Sequence, residues 1–255
     1  MRIIEIVEDT FTCHQEEDMA VFKMLQGSMA ISMTVKGKDV FFEALNAIKV
    51  AQDIKGVAFL YSEKYQGGVE HERFLRELIE NIQQFDERHY SLTFKHAIIQ
   101  FLEQIYTFPK PIVGGMDGEI APPSFAANLA FDMQIATDKT NFILPELKFG
   151  LPPSPSLAFY LVHNLSPQKA TELILTKSGI TAQEALDLGL LTQVVTKMNL
   201  KDSCIDKLRQ MTAISADALI ESRRMLKPSL RMMREYIDEG FEGIIRCLNK
   251  MRKLS

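Results

Sequence analysis

Apolar and polar positions follow two rhythms along this chain. Continuous apolar runs of strand length occur at "GVAFLYS" (56–62), "PIVGGM" (111–116) and "MQIAT" (133–137). Runs with so few polar breaks predict strands covered on both faces. Between them, apolar residues recur at spacings of three and four. Phe41, Leu45 and Ile48 mark one predicted helix, with Asp39 as its cap. Phe74, Leu78 and Ile82 mark a second; Phe94, Ile98, Phe101 and Ile105 mark a third. The first 25 residues read as short strands, carried by "MRIIEIVED" and "MAVFKML". "GSMAISMTVKGKD" and the glycine-bearing "EKYQGGVEHE" read as loops.

The second half is punctuated more sharply. "SFAANLAFD" reads as a helix of small residues, and "LLTQVV" as a short strand. "SPQKATELILT" begins with a Ser166 cap and a proline in the first turn. In "TAQEALDLGL", Thr181 and Glu184 fit a capping box and Gly189 fits the stop. From Asn199 onward the pattern is helical, with Pro228 between two helices. Strands alternating with helices predict the α/β class. The expected division is a core over 1–196 and a helical region over 197–255 suited to subunit contacts.

Composition narrows the possibilities. With 255 residues, 46% of them hydrophobic, the chain can bury a sizeable core. A net charge of −4 and no basic run argue against nucleic acid as a partner. Twenty-nine Lys and Arg still leave local cation for a phosphorylated small ligand. Cys13, Cys204 and Cys247 are far apart, without metal spacing or a disulfide framework, which points to no metal and a reducing, cytoplasmic setting. No apolar run reaches the roughly 18 residues of a membrane span. "MRIIEIVEDT" turns acidic too early for a secretory signal. The thirteen methionines form no stripe and read as core filling.

One stretch stands apart: "KPIVGGMDGEIAPPSFAANLAFD", Lys110 to Asp132. It runs as a buried strand, a glycine turn, and then two prolines where a helix starts. Proline fits the first helical turn because its backbone angle is preset. Pro122 and Pro123 also remove two N–H groups from a helix N-terminus, a place suited to holding anions.

From Lys110 to Val195 the chain resembles the crotonase, or enoyl-CoA hydratase/isomerase, superfamily. The resemblance rests on "KPIVGGMDG", the "FD" closing the small-residue helix, "NFILPELKFGLPP", "KATELILT" and "ITAQEALDLGLLTQVV", in that order. "GVAFLYSEKYQGGVEHE" is similar to the family's preceding strand and glycine loop, while residues 1–55 match only in element order. The resemblance implies a spiral of ββα units with a C-terminal helical subdomain, and trimers often paired into hexamers. It implies acyl thioesters of coenzyme A or a carrier protein as substrates, with coenzyme A part of the substrate rather than a cofactor.

The family's shared chemistry is stabilisation of a thioester enolate by two backbone N–H groups. By resemblance, one donor falls on Val69, after Gly68, and the other on Pro123, which has no N–H. Ser124 then offers its own N–H or hydroxyl, and Gly68 and Ser124 are the expected substrate contacts. Of the family's two glutamates, one position holds Ala126 and the other Glu146. Adding water needs two proton-handling groups, whereas one carboxylate suits a proton shuttle. The pattern therefore resembles the family's double-bond isomerases more than its hydratases.

Other residues are weaker candidates. Glu70 reads as a structural loop contact, and His71 as a solvated loop residue close enough in sequence to reach the pocket. Ser154 and Ser156 read as caps of the next helix, His163 as a packing residue, and Asp132 as structural. Three readings compete. The first is an isomerase or lyase using Glu146; the second is a scaffold that binds thioesters or partners without turnover. The third is a decarboxylase or dehydratase on a carrier-bound, polyketide-type thioester. The prolines and Ala126 favour the scaffold; the "PE" at 145–146 favours the enzyme.

Overall fold

The computed structural model describes residues 5–28, 31, 38–61, 65 and 67–254. Most of "GSMAISMTVKGKD", Ser62 at the end of a predicted strand, and Glu63, Lys64 and Gln66 of the second predicted loop lie outside the described residues. Strands β1 (Glu5–Val7), β2 (Phe11–Glu16) and β3 (Met19–Met24) form an antiparallel start. Helix α1 (Lys38–Val50) leads to β4 (Gly56–Tyr61). Asp39, expected as a cap, lies inside the first turn of α1, whose buried face carries Phe41, Leu45 and Ile48. Helix α2 spans Gly67–Glu80. A short α3 (Glu87–Tyr90) passes through a wider turn into α4 (His96–Thr107).

The stretch that stood apart becomes β5 (Ile112–Met116), β6 (Glu119–Ile120) and helix α5 (Pro122–Leu129). Gly118, at φ +86°, makes the turn between the strands. Then follow β7 (Met133–Thr137), β8 (Asn141–Ile143), α6 (Pro155–Asn164), α7 (Pro167–Thr176), β9 (Gly179–Thr181), α8 (Ala182–Asp187) and β10 (Gln193–Val195). Helices α9 (Leu200–Thr212), α10 (Ala216–Leu226) and α11 (Leu230–Leu254) close the chain. The main sheet has the order β1-β2-β3-β4-β5-β7-β10, parallel from β3 onward. A smaller sheet, β6-β8-β9, lies beside it.

Both faces of the parallel strands are covered, as their unbroken apolar runs required. One side of β3 and β4 carries Phe22 and Phe59, whose rings stack at 4.7 Å. Phe41 and Phe131 extend that aromatic layer. The alternate positions Val21 and Ala58 face the other way, where Cys204 and Leu208 of α9 cover them. The C-terminal region thus closes the second face of the sheet. Residues expected to offer an apolar surface to other subunits are largely spent inside the chain. Met233, Ile237, Phe241, Ile244 and Ile245 are buried, while Met225 and Leu226 remain exposed.

Predicted helix signals formed at α7 and α8. Ser166 accepts a hydrogen bond from Lys169 N–H. Thr181 and Glu184 make the reciprocal capping box. Ser154 stands at the start of α6 without capping it; its hydroxyl pairs with that of Ser156 at 3.1 Å. The loop expected around Gly67 is instead the first turn of α2. Glycine suits that turn because Tyr65 folds over it: a Cβ on Gly67 would lie 1.9 Å from the Tyr65 hydroxyl oxygen.

Asp132 ties distant segments together. Its Oδ2 accepts from Ile112 N–H at 2.7 Å and its Oδ1 from Arg223 Nε at 2.7 Å. Arg223 Nη1 donates to the Phe108 carbonyl. Both side chains are more than 90% buried. Removing one partner from such a pair leaves a buried charge and costs about 3–5 kcal/mol. Asp132→Ala is therefore expected to lower unfolding free energy by about that amount. A urea titration with a change below about 1 kcal/mol would contradict the structural role assigned to this pair.

Candidate active site

The site begins with a packing requirement. Helix α5 is buried at all eight positions. It approaches β5 closely because Gly114 has no side chain: a Cβ there would lie 2.0 Å from Asn128 Oδ1. Ala121 is the N-cap, in extended conformation, and Pro122 and Pro123 occupy the first two helical positions. The helix start is sound, and at both positions proline leaves no backbone donor. Ala126, expected at the position of a family glutamate, is 1% exposed within the core.

The other helix N-terminus belongs to α2. Val69 is its third residue, so its N–H has no acceptor within the helix. Its side chain is half exposed. Gly68 sits tightly against β6, where a Cβ would lie 2.7 Å from Glu119 Oε2. Glu70 accepts from Gly27 N–H at 2.6 Å, holding α2 to the loop after β3.

Tyr65 joins the two helix starts. Its hydroxyl presses on Gly67 and hydrogen-bonds the hydroxyl of Ser124, the third residue of α5. Ser124 is itself 3% exposed, and its carbonyl accepts from Asn128 Nδ2 at 2.8 Å. The Ser124 hydroxyl is therefore already engaged. Burial pushes the Tyr65 phenol well above its ordinary value, and pushes neighbouring Tyr61 up to about 12.

Glu146 opens a short helical turn, Glu146–Phe149, after β8, and is 5% exposed. His71 meets it from the second turn of α2: Nε2 lies 3.2 Å from Glu146 Oε1. Both side chains are more than 90% buried. His71 Nδ1 has no hydrogen-bond partner. Leaving such a group buried and unpaired costs about 1–3 kcal/mol. The pair borders a cavity of about 40 Å³ with Phe74, Tyr90, Pro123 and Ser154. At roughly 10–15 Å³ per water-sized group, it holds about three or four such groups. Burial, and then the Glu146 carboxylate, raise the Tyr90 phenol and keep it neutral.

The structure thus brings together Glu146 and the ring of Pro123, and places Val69, Gly68 and Ser124 at two helix starts. It corrects one reading: His71 is a buried helical residue paired with Glu146, not a solvated loop residue. Sequence reasoning also missed Tyr65. A signal for His71 was present, since Gly68, His71 and Leu75 repeat at helical spacing and form the buried stripe of α2. His163, expected to pack, holds its Nδ1 at 2.7 Å from the Phe159 carbonyl. Among the described residues, no group of three or more His, Cys, Asp or Glu is placed to hold a metal. No described helix is long and apolar enough to cross a membrane.

A spiral α/β fold with a buried glutamate beside a helix start defines a crotonase-type protein. Residues 77–239 match the profile of the enoyl-CoA hydratase/isomerase family, and the chain belongs to that family. It is 27% identical over 143 residues to the carnitinyl-CoA dehydratase of Citrobacter koseri, covering 56% of this chain and 54% of that protein. The carnitinyl-CoA dehydratase of Salmonella arizonae is 29% identical over the same coverage. The match spans about half the length of these curated relatives. The fold is shared with an enoyl-CoA hydratase from Bacillus halodurans, at TM-score 0.79 and 18% identity, over 96% of this chain and 98% of that one. An enoyl-CoA hydratase from Mycobacterium avium aligns at TM-score 0.74 and 14% identity, over 94% and 91%.

The phenols give a pH signature. Folded values above the unfolded value of about 10 mean that the neutral phenols' contribution to stability is complete below pH 10. That contribution falls away as pH rises past the folded values. At pH 11, absorbance near 295 nm is expected to show Tyr61 and Tyr65 un-ionised in native protein and released by urea. Full ionisation of all six tyrosines in the folded protein at that pH would contradict their burial.

Proposed function

We propose that this chain acts on an acyl-CoA thioester through an enolate, with Glu146 as acid/base, and that it moves a double bond rather than adding water. The supporting observation is a single buried carboxylate bordering an apolar cavity, while Ala126 stands where the family's other glutamate would be. A base removes a proton next to the thioester carbonyl, and the enolate is reprotonated further along the chain. Val69 N–H and the α2 dipole supply the remaining oxyanion stabilisation. The curated relatives are named as dehydratases of carnitinyl-CoA, which supports a coenzyme A thioester as the substrate class. Glu146→Gln keeps the shape and removes the base. It is expected to abolish isomerisation of a 3-enoyl-CoA while calorimetry finds thioester binding nearly unchanged. Undiminished turnover would remove Glu146 from the mechanism.

A second reading, a thioester-binding scaffold without turnover, is favoured by the start of α5. There two prolines supply no donor, and the Tyr65 hydroxyl occupies Ser124. Replacing Pro122 and Pro123 with glycine restores two N–H groups. The cost is about 0.4–1 kcal/mol of stability per site. One oxyanion donor is worth about 10²–10³ in rate. The doubly substituted protein is expected to exchange the acyl α-proton with deuterium oxide faster than the parent. Exchange at background in a folded variant that still binds acyl-CoA would favour the scaffold.

A further inference from the structure

By resemblance Ala126 stands at the family's second proton-handling position, yet a different ionisable side chain borders the cavity that Glu146 lines. His71 arrives from α2 and meets Glu146 at 3.2 Å. Nothing about the protein's packing requires an imidazole there. His71 lies on the buried stripe of α2 between Gly68 and Leu75, and its ring stacks near Phe74 at 6.2 Å. An apolar residue would satisfy that stripe. Instead the chain buries a ring with one nitrogen on a carboxylate and the other, Nδ1, without a partner. Both groups border the cavity that also receives Pro123. We infer that His71 is a second catalytic residue, which delivers a proton to the substrate while Glu146 removes one. This rests on the function proposed for the same site.

The proton and electron count closes for a 3-enoyl thioester. The step starts from Glu146 without its proton and His71 carrying one on each nitrogen. The C2–H bond breaks, its proton goes to Glu146, and its electron pair enters the dienolate. The dienolate then takes a proton from His71 Nδ1, forming the C4–H bond and leaving the double bond between C2 and C3. The pair ends as carboxylic acid and neutral imidazole. When product leaves, the acid releases a proton to water and Nδ1 takes one up. No oxidant, metal or further reactant is needed. Two groups on different elements can handle two protons at once, which a lone carboxylate does only by moving with its proton.

The test follows the origin of the hydrogen at C4. A 3-enoyl-CoA carrying deuterium at C2 is converted in ordinary water, and the first product formed is read by mass spectrometry and NMR. Delivery by His71 gives hydrogen from water at C4. Return by Glu146 alone carries deuterium from C2 to C4, and that result overturns the inference without any variant. The second arm uses His71→Gln, which keeps a hydrogen-bond donor toward Glu146 but has no proton to transfer. Exchange at C2 is expected to persist, while product formation falls by about 10²-fold or more. A purely structural histidine predicts parallel changes in both, or none, and either overturns the inference while Glu146-dependent exchange upholds the proposed function. No exchange and no product in the parent protein overturns both.

Discussion

A helix buried along its whole length must satisfy its own ends, and α5 is such a helix. With its first turn buried, each orphan donor needs a partner or must be removed. Pro122 and Pro123 remove two. Phe125 N–H bonds back to the Ala121 carbonyl at 2.8 Å. The Tyr65 hydroxyl then closes the remaining polar side through Ser124. The same requirement explains Gly114, whose missing side chain lets α5 reach the sheet, and the small residues along the helix. It also shapes the site. The solution that best stabilises a buried helix start is one that weakens it as a cradle for negative charge. The function proposed for this site therefore leans on α2 and the Glu146–His71 pair.

Much of the fold was legible because its signals are local. Buried strands announced themselves as unbroken apolar runs, and α7 and α8 by cap residues whose hydrogen bonds formed as expected. Glu146 was legible only through the order of several ordinary segments. The failures share a cause. The pair of glycines at 67 and 68 suggested a loop, because glycine's conformational freedom is the stronger local clue. Their actual reason is non-local: Tyr65 packs over one and Glu119 against the other. With the first turns of α2 read as loop, the helical spacing that buries His71 was missed too. The helical region over 197–255 was read as suited to subunit contacts; within the chain, the apolar face of α11 packs on α6 and α4.

The Asp132–Arg223 pair has a bearing on how the chain comes into being. The carboxylate lies beside a strand in the middle of the sequence, and its cation follows 91 residues later. During synthesis, β5 and α5 are complete well before α10 exists. Until then, Asp132 has its bond from Ile112 but no positive partner. A half-made chain that closes around this site would bury an uncompensated charge, which is strongly unfavourable. Closure of the central strands around Asp132 is therefore favoured only once α10 is present. Translation order and folding order are coupled here by one ion pair, with the last part of the chain acting as the latch for the middle.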